Sequence, residues 1–254
     1  MKPAHPPGPV KFRLDQLLVD RGLAPSREKA RALILAGAVT VDGQKSDKPG
    51  HAYAAGARIE IAEAPRYVGR GGLKLEAALK HFSIDVSNRV CLDVGSSTGG
   101  FTDCLLQHGA ARVYAVDVGR GQLDWSLRND PRVLVREGVN ARYLRPEDFP
   151  EPFDLAVCDA SFISATLLVP AIAPLLAQPP SRKHGEMVIL VKPQFEVGKD
   201  QVGKGGIVRD PALHRAACGR VRAAVEALGF SASVMESPIL GAEGNREFLL
   251  YAFH

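Results

Sequence analysis

Nowhere in the 254 residues does an apolar run approach the roughly 20 residues that a membrane-crossing helix requires. The longest candidate, Leu167 to Ala177, is interrupted by Pro170 and Pro174. The apolar centre of a signal peptide is missing too, because the first residues, Met1 to Val10, are rich in proline. Cysteine is scarce. Cys91, Cys104, Cys158 and Cys218 form no CxxC pair, and three of them lie in apolar stretches that read as core. Disulfides and a zinc site are therefore not expected. These absences point to a cytoplasmic protein with neither metal nor membrane attachment. The rest is ordinary: 46% hydrophobic and 24% charged. The length suits one large domain, or one of about 180 residues beside a small one.

Charge is unevenly spread. Residues 1–70 hold 12 Lys and Arg against 7 Asp and Glu, an excess of +5. Residues 71–254 hold 20 against 21, a balance of −1. A basic module that seeks a polyanion fits this division, since neutralised phosphates release their counterions.

Residues 1–10 read as a flexible tail. Leu14, Leu17 and Leu18 then recur with helical spacing, and Gly22 is placed to end that helix. Ser26 can cap a second helix, SREKARALILAG, with Ala30, Leu33 and Ile34 on its apolar face. Val39 and Val41 alternate with polar neighbours ahead of an Asp42-Gly43 turn, and a strand is expected from Ala57 to Ile61. The stretch RLDQLLVDRGLAPSREKARALILAGAVTVDGQ resembles the alpha-L RNA-binding motif. That resemblance implies that basic side chains on the two helices lie against RNA backbone, here Arg13, Arg27, Lys29 and Arg31.

The segment PRYVGRGG, residues 65–72, is glycine-rich and basic and reads as a linker, with a helix following from about Leu73 to Phe82. From Arg89 on, strand-like and helix-like segments alternate. Strands are expected at VCLDVG, RVYAVDVG, RVLVRE, DLAVCDAS, EMVILVKP, SASVMESP and REFLLYAF. Continuous apolar strands alternating with helices imply an α/β fold, a doubly wound and mostly parallel sheet covered on both faces. The expected organisation is a tail (1–10), an RNA-binding domain (11–64), a linker (65–72) and a large α/β domain (73–254).

The first of these strands runs into VGSSTGGFTDCLL, a glycine loop opening a helix. No Lys follows Gly100, so a P-loop is disfavoured, and Gly95-Ser96-Ser97 breaks the dinucleotide fingerprint. The remaining pattern, Asp93, Gly95, Ser96, Ser97, Thr98, Gly99, Gly100 and Phe101, resembles the S-adenosylmethionine loop of Rossmann-like class I methyltransferases. Asp117 ends the next strand, where a carboxylate can accept both ribose hydroxyls of a nucleoside. Val139 and Asn140, after the third strand, are candidates for contacting the adenine.

Methyl transfer to a hydroxyl, a poor acid, needs help in removing its proton. A Lys serves as base only when its pKa is lowered, and carboxylates are then needed to orient the amines. The sequence offers Lys74 before the first strand, Asp159 and Lys192 at strand ends, and Glu247 at the start of the last strand. Asp159 and Lys192 fall at the carboxyl edge of the sheet, with the glycine loop. In order and element these four resemble the Lys-Asp-Lys-Glu tetrad of FtsJ-type ribose 2′-O-methyltransferases. The segments GRGGLKL, LDVGSSTGGFTD, VYAVDVG, DASFIS, LVKPQFE and GGIVRDP are similar to those of the TlyA family. The resemblance spans nearly the whole chain apart from the proline-rich tail.

It implies 2′-O-methylation of ribosomal RNA, at cytidine in 16S or 23S RNA or both, with S-adenosylmethionine as donor and no metal. Lys192 would be the base or proton acceptor, and Lys74 would lower its pKa and position the hydroxyl. Asp159 and Glu247 would hold the amines. Arg70 in the connector and Lys199 and Lys204 in GKDQVGKGGIVRD are expected RNA contacts. That segment reads equally as a mobile flap or as an ordinary surface loop. Rival readings are a non-catalytic ribosome-assembly protein, a haemolysin (a name also attached to this family) and a small-molecule methyltransferase. The intact tetrad, the lack of a spanning or lytic helix and the basic N-terminal module count against them in turn.

Overall fold

The computed structural model describes residues 11–62, 65–177, 185–241 and 244–254. The tail expected over residues 1–10 lies outside them. The chain divides into two units, Met1–Pro65 and Arg66–His254.

In the first unit, strand β1 (Lys11–Arg13) leads into helices α1 (Leu14–Asp20) and α2 (Arg27–Leu35). Leu14, Leu17 and Leu18 are buried as their spacing predicts, and Gly22 takes the left-handed φ of +68° just past α1. Ser26 caps α2 by accepting the Lys29 backbone N–H. Strand β2 (Val39–Val41) turns through Asp42 and Gly43, both at positive φ, into β3 (Gln44–Lys45). It also pairs with β5 (Ile59–Ile61), which begins two residues later than expected from the sequence. Strand β4 (Ala52–Ala54) pairs with β1. Neither was foreseen, because β1 is exposed at all three residues and carries no apolar alternation.

The second unit opens with helix α3 (Gly71–His81) and continues β6 (Val90–Val94), α4 (Gly100–Gln107), β7 (Arg112–Asp117), α5 (Trp125–Arg128) and β8 (Val133–Glu137). It then runs through β9 (Leu155–Cys158), α6 (Val169–Ile172), β10 (Glu186–Val191), α7 (Pro193–Glu196), α8 (Pro211–Glu226), β11 (Ser231–Glu236) and β12 (Phe248–Phe253). All seven expected strands join one sheet, in the order β11-β12-β10-β9-β6-β7-β8. The five from β6 to β10 are parallel; β12 lies antiparallel between β10 and β11. Leu92, Val94, Val157 and Val188 are almost fully covered, with one apolar layer on each face of the sheet. From β6 the chain winds outward through β7 and β8, then crosses back to β9. A crevice therefore opens beyond the carboxyl ends of β6 and β9.

Residues 66–72 are not a linker. The Tyr67 side chain is buried, and a Cβ on Gly72 would sit 2.3 Å from its ring. The Val68 N–H donates to Asp103 on α4. Gly100 lies so near Gly69 and Gly72 that a Cβ there would come within 3.1 Å of backbone atoms of both. The glycines that resemble a flexible connector serve close backbone packing, and α3 begins at Gly71 rather than Leu73.

Candidate active site

The crevice holds a cleft of about 160 Å³, lined by Gly71, the Gly95–Thr98 loop, Gly100, Phe101, Asp159, Ser161 and Lys192. Gly95 sits at φ +81°, and a Cβ on it would stand 2.8 Å from the Asp159 carbonyl oxygen. The loop and the end of β9 therefore meet backbone to backbone. Whole-ligand pockets run to roughly 300–1,000 Å³, so a cleft of this size suits one end of an elongated ligand. Asp117 caps the loop from the end of β7, accepting the N–H of Ser97 (2.8 Å) and of Gly119 (2.6 Å). Val139 packs on the core, and the exposed Asn140 side chain caps a short 3-10 turn. Neither lines the cleft.

The four candidate catalytic residues form two ion pairs. Lys192 Nζ lies 2.6 Å from Asp159 Oδ1, beside the glycine loop, and donates to Ser161 Oγ at 2.7 Å. Lys74 Nζ donates to Glu247 Oε2 at 2.5 Å, and both side chains are buried. Register explains the second pair: Val191 pairs with Phe248, so Glu247 stands level with Lys192 at the sheet edge. Gly71, one turn ahead of Lys74 on α3, brings that helix to Asp159, where a Cβ would lie 3.5 Å from Oδ2. The Lys192–Asp159 pair faces the cleft; Lys74 and Glu247 are not among its lining residues.

Asp93 also departs from expectation. It lies behind the loop, fully buried, accepting the Thr102 hydroxyl at 2.6 Å. It thus ties β6 to the start of α4 and does not line the cleft. Burial pushes its carboxyl up to about 7, against the pull of that hydrogen bond. An acid raised in the folded state destabilises the fold as pH climbs from its unfolded value, near 4, and fully so above 7. Asp93→Asn mimics the neutral form, and its advantage in melting temperature over the natural protein is expected to be larger at pH 8 than at pH 5. The difference corresponds to a few kcal/mol at most. An advantage that does not grow with pH would show that the carboxyl is already ionised at pH 5.

Two residues after Asp159 were not anticipated. Ser161 lines the cleft, and Phe162 is 91% exposed at φ +64°, a strained conformation for a bulky side chain. Its ring meets Phe195 at 5.3 Å. Glu196, buried at the end of α7, accepts the Ser164 hydroxyl (2.5 Å) and the Ala165 N–H (2.7 Å). The loops that follow β9 and β10 are thereby joined. Ser161 and Phe162 lie in the sequence DASFIS, but no periodicity separates them from loop filler. Only a three-dimensional arrangement reveals their exposure.

Basic residues occupy several surfaces. In the first unit, buried Asp15 is paired with Arg13 (2.9 Å) and Arg27 (3.2 Å), and the Arg13 hydrogen bond holds its carboxyl down at about 2. Both guanidiniums remain half exposed. Arg27 and Arg31 line one groove on α2 together with Leu35, while Lys29 is exposed but outside that groove. In the second unit, Arg70 is exposed and donates to the Leu240 carbonyl. Lys199 and Lys204 are exposed on two short 3-10 turns. That segment is anchored, since Asn245 donates to the Gly206 carbonyl and accepts the Val208 N–H. Among the described residues, no three of His, Cys, Asp and Glu gather as a metal-binding group, and no helix is long and apolar enough to cross a membrane.

The profile of the FtsJ-like methyltransferase family matches residues 67–253, and that of the S4 domain matches residues 12–59. The 16S/23S rRNA (cytidine-2′-O)-methyltransferase TlyA of Mycobacterium tuberculosis is 48% identical over 244 residues, 95% of this chain and 89% of its own length. Hemolysin A of Brachyspira hyodysenteriae is 43% identical over 242 residues, 94% of this chain and 99% of its own. A solved structure of a candidate hemolysin from Streptococcus thermophilus aligns with a TM-score of 0.71 at 45% identity, covering 96% of this chain and 88% of that one.

Proposed function

Because the chain belongs to the FtsJ-like methyltransferase family and carries an S4 domain ahead of the methyltransferase unit, we propose that it methylates the ribose 2′-hydroxyl of cytidine in ribosomal RNA. The observation that carries this reading is the Lys192–Asp159 ion pair on the wall of the cleft formed by the glycine loop. A relative matched over 95% of this chain is named a 16S/23S rRNA (cytidine-2′-O)-methyltransferase.

The residues fit S-adenosylmethionine as donor. The Gly95–Phe101 loop leaves no room for side chains at its closest approach, offers backbone N–H groups at the start of α4, and is flanked by the Asp117 carboxylate at the end of β7. When bound there, the cofactor supplies an electrophilic sulfonium methyl. The protein's part is to place and deprotonate the acceptor. Lys192, after giving the ammonium proton of its ion pair to solvent, takes the proton of the acceptor, and Asp159 holds the re-formed ammonium in position. Lys74 and Glu247, mutually neutralised behind the cleft, fix the junction of α3 with the start of β12. Fixed geometry supplies much of the acceleration of an in-line displacement.

Phe162, bare beside Ser161, offers a face on which an RNA base can stack. Arg13, Arg27, Lys29 and Arg31 in the first unit, with Arg70, Lys199 and Lys204 in the second, supply contacts to phosphate. The setting is the cytoplasm, where ribosomal subunits are found.

The test is incubation with labelled S-adenosylmethionine and unmodified small and large ribosomal subunits, followed by alkaline hydrolysis. A 2′-O-methyl group blocks cleavage at its own linkage, so label is expected in alkali-resistant dinucleotides. Label in mononucleotides would mean base methylation. Tight RNA binding without any transfer would favour an assembly factor.

A further inference from the structure

Building on the reading of a ribose 2′-O-methyltransferase, we infer that Ser161 is a further catalytic residue, whose hydroxyl carries the proton from the acceptor to the Lys192 amine. The Lys192 side chain is only 10% exposed, and its amine is held between Asp159 Oδ1 at 2.6 Å and Ser161 Oγ at 2.7 Å. Of those two partners, Asp159 is the counter-ion, whereas Ser161 is exposed on the cleft wall. Lys192 lines the same cleft but shows little surface there, so an incoming hydroxyl meets the more exposed serine beside it.

A hydroxyl suits this place because it donates and accepts at once, so it passes a proton on without retaining charge. Its position is also built rather than incidental. The loop bearing Ser161 and the turn bearing Lys192 are fastened by the Ser161–Lys192 hydrogen bond, by the Phe162–Phe195 ring contact and by Glu196, which accepts from Ser164 and Ala165. The left-handed Phe162 sits between Ser161 and the Glu196 anchor.

The step balances as follows. The Lys192 ammonium, which donates to Ser161 Oγ in the structure, first releases one proton to solvent, and the Ser161 hydroxyl turns to donate to the neutral amine. The ribose O–H bond then breaks and its proton goes to Ser161 Oγ, while the proton of Ser161 goes to the Lys192 amine, leaving an ammonium against Asp159. The electron pair freed on the ribose oxygen forms the new bond to the methyl carbon of the sulfonium donor. The sulfur–carbon bond breaks with its pair retained on sulfur. The ammonium returns its proton to solvent before the next turnover.

The experiment compares the natural protein with Ser161→Ala and Ser161→Thr on ribosomal subunits in mixtures of light and heavy water. Binding of S-adenosylhomocysteine by calorimetry and the melting temperature are measured alongside. Ser161→Ala is expected to slow single-turnover transfer about 10²-fold, with product binding and melting unchanged. The curved dependence on deuterium fraction, two protons in flight, should become linear, and Ser161→Thr should restore both rate and curvature. A Ser161→Ala protein within about threefold of the natural rate, or one that is slow yet keeps the curvature, overturns the relay and leaves Lys192 acting directly. A natural protein that transfers no methyl group overturns the underlying reading instead, and the two failures are told apart in the same set of reactions.

Discussion

With Lys192 replaced by alanine, methyl transfer is expected to fall about 10²- to 10⁴-fold, the range that a positioned proton acceptor supplies, while the fold and the binding of S-adenosylhomocysteine persist. The reasoning is positional. Lys192 follows β10 at the sheet edge, and the partner it leaves behind, Asp159, is partly open to solvent, so its unpaired charge can be hydrated at modest cost. Lys192→Arg is expected to be nearly as inactive, because a guanidinium keeps the charge but does not give up a proton at working pH. The measurement is single-turnover transfer with calorimetry on the same preparations. A Lys192→Ala protein within tenfold of the natural rate would move the base elsewhere in the cleft. Loss of product binding together with activity would make Lys192 a binding residue instead.

The opposite outcome is expected at the second pair. Glu247 is 3% exposed and Lys74 10%, so Glu247→Ala leaves a buried ammonium with no counter-charge. Removing one member of a buried pair costs about 3–5 kcal/mol, a fall of roughly 10 °C in melting temperature for a unit of this size. Replacing both, Lys74→Met with Glu247→Leu, removes the stranded charge and is expected to recover most of the stability and, with the junction of α3 and β12 restored, much of the activity. If the single variant melts within 1–2 °C of the natural protein, the pair is not desolvated as described. If the double variant is stable yet inactive, Lys74 or Glu247 takes part in the chemistry as well as in the fold.

These contrasting expectations rest on burial, which the sequence did not convey. Lys74, Asp159, Lys192 and Glu247 could be singled out because strand ends and helix positions follow from apolar runs, and a parallel sheet collects its strand ends on one edge. The division into two separate pairs depends on which strands lie side by side, and on β12 entering antiparallel so that Glu247 falls level with Lys192. For the same reason, all seven strands of the large sheet were legible, whereas β1 and β4 were not. Four of their six residues are exposed, and besides the packing of Tyr53 on the core they are held by pairing with each other. The misreading of residues 66–72 has a different origin. Glycine enriches flexible connectors and close backbone contacts alike, and composition does not distinguish them; the buried ring of Tyr67 does. Asp93 was misplaced because it neighbours the glycine loop in sequence but faces the interior.

The place of β12 has a bearing on biogenesis. It is the last strand of the sheet in chain order, yet it lies inside it, with β10 on one side and β11 on the other. While the chain is being made, β6 to β10 can associate as they emerge, but β11 has no neighbour until β12 arrives. Until then the nascent sheet ends in an open edge along β10, the kind of exposed strand that invites pairing with another chain. Lys74 meanwhile waits without its carboxylate. Synthesis of some 170 residues separates the lysine from its partner, so closing the sheet and neutralising that amine are one late event.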